Sequence, residues 1–130
     1  MTDATKITAK LTGNGIQCEN VEGKTVLTGG EGPKPTELLL MSAAACSTLT
    51  FKAILDRDGL DPTEINVAVE GMRGTTPPRQ FTDIYLHYRV QCPGLTEARL
   101  QRYLKISESA CPVIKSLSAK THVTYELIER

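Results

Sequence analysis

No tryptophan occurs in these 130 residues, and Phe and Tyr supply the whole of a 5% aromatic content. Interior packing therefore falls to the aliphatic side chains within a 40% hydrophobic fraction, enough for one ordinary core. Net charge is absent as well. Fifteen basic residues balance fifteen acidic ones, so no global field draws in nucleic acid or an anionic membrane, and neither is expected as a partner. The opening stretch from Met1 to Ile7 contains no apolar leader segment, and no run approaches the roughly 18 apolar residues of a membrane span. The chain reads as cytoplasmic. In that reducing compartment Cys18, Cys46, Cys92 and Cys111 are not presumed to form structural disulfides. They contain no C-x-x-C, and His87 and His122 stand in no zinc-ligand pattern, so neither a metal nor a cofactor is expected.

The length predicts a single domain over residues 1–130. Short β-prone runs from Lys6 to Leu11, Ile16 to Glu19 and Lys24 to Thr28, separated by Gly-containing turns, predict a meander. The loop Gly29-Gly30-Glu31-Gly32-Pro33-Lys34-Pro35 stops it, and Pro35 suits the first turn of a helix that runs on to about Arg57. The centre of that helix, Leu38 to Cys46, is apolar on every face, which predicts enclosure on more than one side and a partner subunit. Strands from Glu64 to Glu70 and from Phe81 to Gln91 follow, with Gly71 to Pro78 as a loop between them. On the second, Ile84, Leu86, Tyr88 and Val90 form the core face, opposite Asp83, Tyr85, His87 and Arg89. A helix from about Thr96 to Ala110, a short helix after Pro112 and a last strand from Thr121 to Ile128 complete the order βββ-α-ββ-α-α-β. That order makes an α+β protein, neither doubly wound nor a bundle.

Two cysteines carry the chemistry. Taken alone, Cys46 reads as a buried core cysteine, because its own helix supplies no N-terminal dipole there. Cys111 differs: Pro112 suits position N1 of a short helix, placing Cys111 at the N-cap, where N–H groups favour a thiolate. Cys18 and Cys92 read as packing residues, His87 and His122 as surface contacts, and Lys115 and Lys120 as exposed charge.

The segment from Gly32 to Met41, followed by Ala43-Ala44-Ala45-Cys46-Ser47 and later by Cys111-Pro112-Val113 and Leu117, resembles the OsmC/Ohr family of organic hydroperoxide reductases and relatives. Pro78-Arg79-Gln80-Phe81-Thr82 with Leu86-His87-Tyr88 is similar to its YhfA-like subgroup. The resemblance spans nearly the whole chain. It implies an OsmC-like fold in which long central helices are wrapped by sheets in an intertwined homodimer, with an active site at each subunit interface. It also implies that Cys46 attacks a small organic hydroperoxide as a thiolate and becomes a sulfenic acid, that Cys111 resolves it to a disulfide, and that a dithiol such as dihydrolipoamide or another thiol reopens the bond.

Peroxide-reducing members pair the thiolate with an N-terminal Arg, held by a Glu ten residues before the first cysteine. Here no Arg precedes Arg57, and Thr36 occupies the Glu position. Glu37 is the nearest acid; nine residues at about 100° each put it on the opposite helical face from Cys46, where a first-turn acid also serves the helix dipole. Arg79 and Lys34 are the candidate substitute cations, and Glu37 and Arg79 join Cys46 and Cys111 as candidate site residues. The alternative reading is a noncatalytic or redox-sensing dimer that binds a small apolar ligand at its interface.

Overall fold

The computed structural model describes residues 3–129. Met1, Thr2 and Arg130 lie outside the described residues, and with them the first part of the leader reading. The elements are β1 (Ile7–Thr12), β2 (Gly15–Asn20), β3 (Thr25–Thr28), α1 (Pro35–Arg57), β4 (Glu64–Arg73), β5 (Phe81–Gln91), α2 (Glu97–Ala110), α3 (Pro112–Lys115) and β6 (Lys120–Leu127). This is the predicted α+β order. The residues divide into two compact units, one ending at Leu39 and one beginning at Leu40, so the boundary falls inside α1.

The amino-terminal unit is an antiparallel sheet in the order β1-β2-β3. Thr12 faces Gly15 across the first turn, and its hydroxyl donates to the Gly15 carbonyl at 3.0 Å while accepting the Asn14 N–H at 3.2 Å. Gly15 has φ +142°, and a Cβ there would stand 2.5 Å from the Gly29 carbonyl oxygen, so this close crossing of the chain requires glycine. The Asn20 side chain closes the second turn by accepting from the N–H groups of Glu22 and Lys24. At the start of α1, Glu37 reaches back to accept the Lys34 N–H at 2.8 Å, half of a capping box, which satisfies a donor the helix cannot.

The carboxy-terminal unit holds the core. β5 is the middle strand, antiparallel to β4 on one side and parallel to β6 on the other, the parallel return being made through α2 and α3. Its side chains alternate as the period of two predicts: Ile84, Leu86, Tyr88 and Val90 are buried, Tyr85, His87 and Arg89 exposed. Against that face pack Ala43, Phe51, Ile54 and Leu55 of α1 with Leu100, Tyr103 and Leu104 of α2. The rings of Phe51 and Tyr88 meet edge to face at 5.4 Å. Gly59, at φ +74°, ends α1 in the left-handed conformation, and the Leu60 N–H bonds back to Leu55. The Tyr103 hydroxyl ties this end of α1 to α2, donating to the Asp58 carboxylate while accepting from Arg99 at 2.7 Å.

Three expectations change. β4 continues through Arg73 where a loop was predicted from Gly71, because Gly71 is a close-packing glycine: a Cβ there would lie 2.6 Å from the Phe81 ring. Within one chain α1 is covered on one face, not several, and Met41 and Leu49 stand exposed. Finally, α1 is by length and composition apolar enough to cross a membrane, contrary to the count of apolar runs. Ser42, Ser47, Thr48 and Thr50 interrupt the apolar run without adding charge, so a run count misses it. Its buried face of Ala43, Ser47, Phe51, Ile54 and Leu55 is that of a core helix.

Candidate active site

α2 ends at Ala110, and Pro112, which has no N–H to give, opens α3; Cys111 is the extended residue between them, with φ −79° and ψ 112°. It is the N-cap of α3 in backbone terms, as the Pro112 reading predicts, yet its side chain completes no capping hydrogen bond. The thiol turns into the core instead, where it is fully buried and lies 3.8 Å from the Ser47 hydroxyl. Ser47 follows Cys46 on α1, about 100° further round the helix, which leaves Ser47 buried and Cys46 only partly so. Cys46 is half-buried at the edge of the core, and both thiols are free and near enough to act on one another.

Their electrostatics differ. Burial pushes the Cys46 thiol up, and Cys111 beside it pushes in the same direction, against the Val113 N–H and the Thr50 hydroxyl, which pull it down. Burial also works against the Cys111 thiolate, but the Ile114 N–H, the Cys46 thiol, the Ser47 hydroxyl and the Val113 N–H outweigh it, so this thiol ends below its ordinary range. Within the pair, then, the Cys111 thiol is pulled down and the Cys46 thiol pushed up. That matches the local reading of Cys111 as the more acidic thiol and runs opposite to the order of roles that the resemblance implies. Burial is the strongest influence on both sulfurs, followed by α3 amides, the neighbouring thiol and a hydroxyl from α1.

Deeper in, burial raises the Tyr88 phenol, while the hydroxyls of Ser107 and Ser47 ease it back. Ser107 Oγ is the buried side-chain oxygen among the described residues that completes no hydrogen bond, so its approach to Tyr88 is a weak one. Ser47 and Tyr88 entered the sequence reading only as parts of motifs and of the core face, not as site residues, and Ser107 did not enter it. Tyr88 carried a signal: a tyrosine on an aliphatic core face needs a partner for its hydroxyl.

Comparison with known proteins follows this geometry. The model of the OsmC-like protein family matches residues 28–126. The chain belongs to the OsmC-like family. It is 31% identical to protein YhfA of Escherichia coli K12 over 117 residues, covering 85% of this chain and 87% of that one. Peroxiredoxin OsmC of the same organism is 26% identical over 104 residues, covering 79% and 73%. Among solved structures, an OsmC-like protein from Mycoplasma pneumoniae superposes with a TM-score of 0.87 at 20% identity, over 99% of this chain and 100% of that one.

In this OsmC-like chain the other candidates take local roles. Arg79, exposed and at φ +57°, donates from Nε to the Gly74 carbonyl at 3.2 Å, while its own carbonyl accepts from Arg73 at 2.8 Å; both bonds close the β4–β5 loop. Glu37 caps the start of α1, and Lys34, Lys115 and Lys120 are exposed. Cys18 lies in β2 between Ala9 and Val26. Burial, then the Asp61 carboxylate, raises the Cys92 thiol. His87 meets Thr124 at 2.7 Å, and His122 meets Asp83 at 2.9 Å while stacking on Tyr85, all on the sheet face away from the core. An open cleft of about 630 Å³ between α2 and β6 has neither thiol in its lining.

Proposed function

We propose that this protein is a cytoplasmic, homodimeric thiol-dependent peroxidase that reduces small organic hydroperoxides through Cys46 and Cys111. The observation that carries the reading is that two free thiols, one from α1 and one from the α2–α3 junction, influence one another's ionisation, with the buried Ser47 hydroxyl 3.8 Å from the Cys111 sulfur. The family supports a peroxiredoxin-like role in general, as the name of its OsmC relative indicates. Cys46, the more accessible of the two, attacks the peroxide oxygen; Cys111 then displaces hydroxide from the sulfenic acid to form the disulfide. A dithiol such as dihydrolipoamide gives up two electrons and two protons to restore the thiols. Homodimerisation is supported by the apolar side chains of Met41 and Leu49 on α1 and of Ile7, Leu11 and Val26 in the meander, which one chain leaves exposed.

The purified reduced protein should consume cumene or tert-butyl hydroperoxide with dihydrolipoamide as reductant, and Cys46→Ser should bring consumption to background. An inactive wild type, or an active Cys46→Ser, overturns the reading.

A second reading is a redox-sensing or ligand-binding dimer without turnover. It is favoured by the lack of any Arg before Arg57 and by the burial that raises the Cys46 thiol. An apolar ligand retained through purification, with thiols that resist alkylation and peroxide, would select it.

A further inference from the structure

β6 is an edge strand, and its register with β5 sets Thr121, Val123 and Tyr125 beside Ile84, Leu86 and Tyr88 on the core face. The three β5 residues are buried, but their β6 neighbours are only half-buried, because α2 covers the middle of the sheet better than its margin. The space left over is the open cleft of about 630 Å³ between α2 and β6, a size usual for small-molecule sites. Its floor is apolar, made by Leu104, Val123, the Tyr125 ring and, at one end, Ala98. The polar groups around it are unevenly satisfied. At one end the Glu108 carboxylate accepts the Thr121 hydroxyl. At the other, Tyr125 donates to Glu97 at 3.0 Å and accepts from Gln101 at 2.6 Å. Between those ends stand Arg102 and Lys105, both exposed, three residues apart on one face of α2 and so about 4.5 Å apart along its axis. No ion pair among the described residues uses either of them. The Arg102 guanidinium lies 5.7 Å from the centre of the Tyr103 ring, a contact that supplies no acceptor for its N–H groups.

We propose that this cleft is a binding site for an amphipathic monocarboxylate, whose carboxylate bridges Arg102 and Lys105 and whose apolar body lies along Leu104, Val123 and the Tyr125 ring toward Ala98. The two carboxylates at the ends of the cleft are already met by hydroxyls, while the two cations between them lack an anion, so the complementary charge is a single negative group near the centre. Glu97 and Glu108 oppose a polyanion that would extend past the cations, and the cations oppose a ligand of positive charge. From Lys105 back to Ala98 the helix rises by about 10 Å, which sets the length of the apolar body and fits an unbranched chain of moderate length. Neither thiol lines this cleft, so the site is distinct from the one that carries the peroxidase reading and stands whether or not that reading holds.

Octanoate is the probe, titrated into the full chain in its native assembly and followed by the backbone amide signals in nuclear magnetic resonance. Saturable shifts should gather on residues 98–108 and 121–125, with a dissociation constant of the order of 0.1–1 mM. Acetate, which keeps the charge and drops the body, should bind at least about tenfold more weakly, and octylammonium, which keeps the body and reverses the charge, should give no saturable shift there. Replacing both cations, Arg102→Gln with Lys105→Gln, should weaken octanoate by about tenfold, each substitution giving about threefold. Ala98→Phe should fill the apolar end and weaken octanoate by at least about tenfold while leaving both cations in place. All three positions are exposed, so the variants should melt with the wild type. The inference is overturned by the absence of a saturable shift up to about 10 mM octanoate, which is also the result if a second copy covers the cleft. Shifts centred on other elements, equal binding of octylammonium, or octanoate affinity unchanged in the double variant or in Ala98→Phe overturn it as well.

Discussion

The two units of this chain make opposite use of similar apolar residues. In the carboxy-terminal unit, Phe51, Leu55, Ile84 and Leu100 are buried by neighbours from other elements of the same unit. In the amino-terminal sheet, Ile7, Val26 and Leu11, the last of these 79% exposed, face outward, and Thr28 is its buried residue among those described. Both units have turns, pairing and hydrogen bonds in order, so the difference is not one of secondary structure. It is the difference between a sheet with helices packed on one face and a three-stranded sheet that has no layer of its own to bury against. Such a sheet gains stability by acquiring a cover, and a second copy is the cover we propose.

The largest effect should come from the filled core. Phe51→Ala removes a ring fully enclosed against Tyr88 and should cost about 3–5 kcal/mol in chemical unfolding. Leu11→Ala is the counterpart in the uncovered sheet. If a second copy covers the meander, its cost should grow with protein concentration and the variant should shift toward monomer in sedimentation. A cost below about 0.5 kcal/mol at every concentration would instead leave the sheet bare. A smaller effect is expected at Tyr103. Its hydroxyl leads the groups that hold the Asp58 carboxyl below the usual carboxylate range, followed by Arg57. A folded pKa depressed in this way stabilises above the unfolded value of about 3.9 and loses that contribution as pH falls through the folded value. Tyr103→Phe should therefore lower Tm most at neutral pH, and its difference from wild type should shrink in acid. A difference that is constant with pH would detach Tyr103 from Asp58.

Sequence periodicity carried the fold because β5 is covered on one face, so strict alternation from Ile84 to Val90 exposes the burial pattern. It carried the end of α1 for a similar reason, since Gly59 can take a conformation that other residues resist. Gly71 shows the limit: the same residue type marks a turn or a close approach, and only the Phe81 ring decides which. The thiols show another. Sequence motifs pointed to Cys46 and Cys111, and Pro112 pointed to a favoured thiolate at Cys111, but the partners that act on that sulfur include Ser47 from a distant helix. No local pattern encodes the neighbours across a fold. Glu37 illustrates the same limit: its first-turn position reads as an acid serving the helix dipole, and the bond it accepts from the Lys34 N–H appears only in the fold.

The position of the two thiols also bears on how the chain unfolds. A bond between Cys46 and Cys111 would close a covalent ring over residues 46–111, with β4, β5 and most of the crossover to β6 inside it. By chain entropy a ring of this size disfavours the unfolded state by about 4 kcal/mol. In the proposed cycle each turnover would then tie and untie the protein's own loop, leaving the reduced form the easier to unfold. Melting curves with and without a dithiol should differ accordingly, and equal melting temperatures would show that the ring never closes.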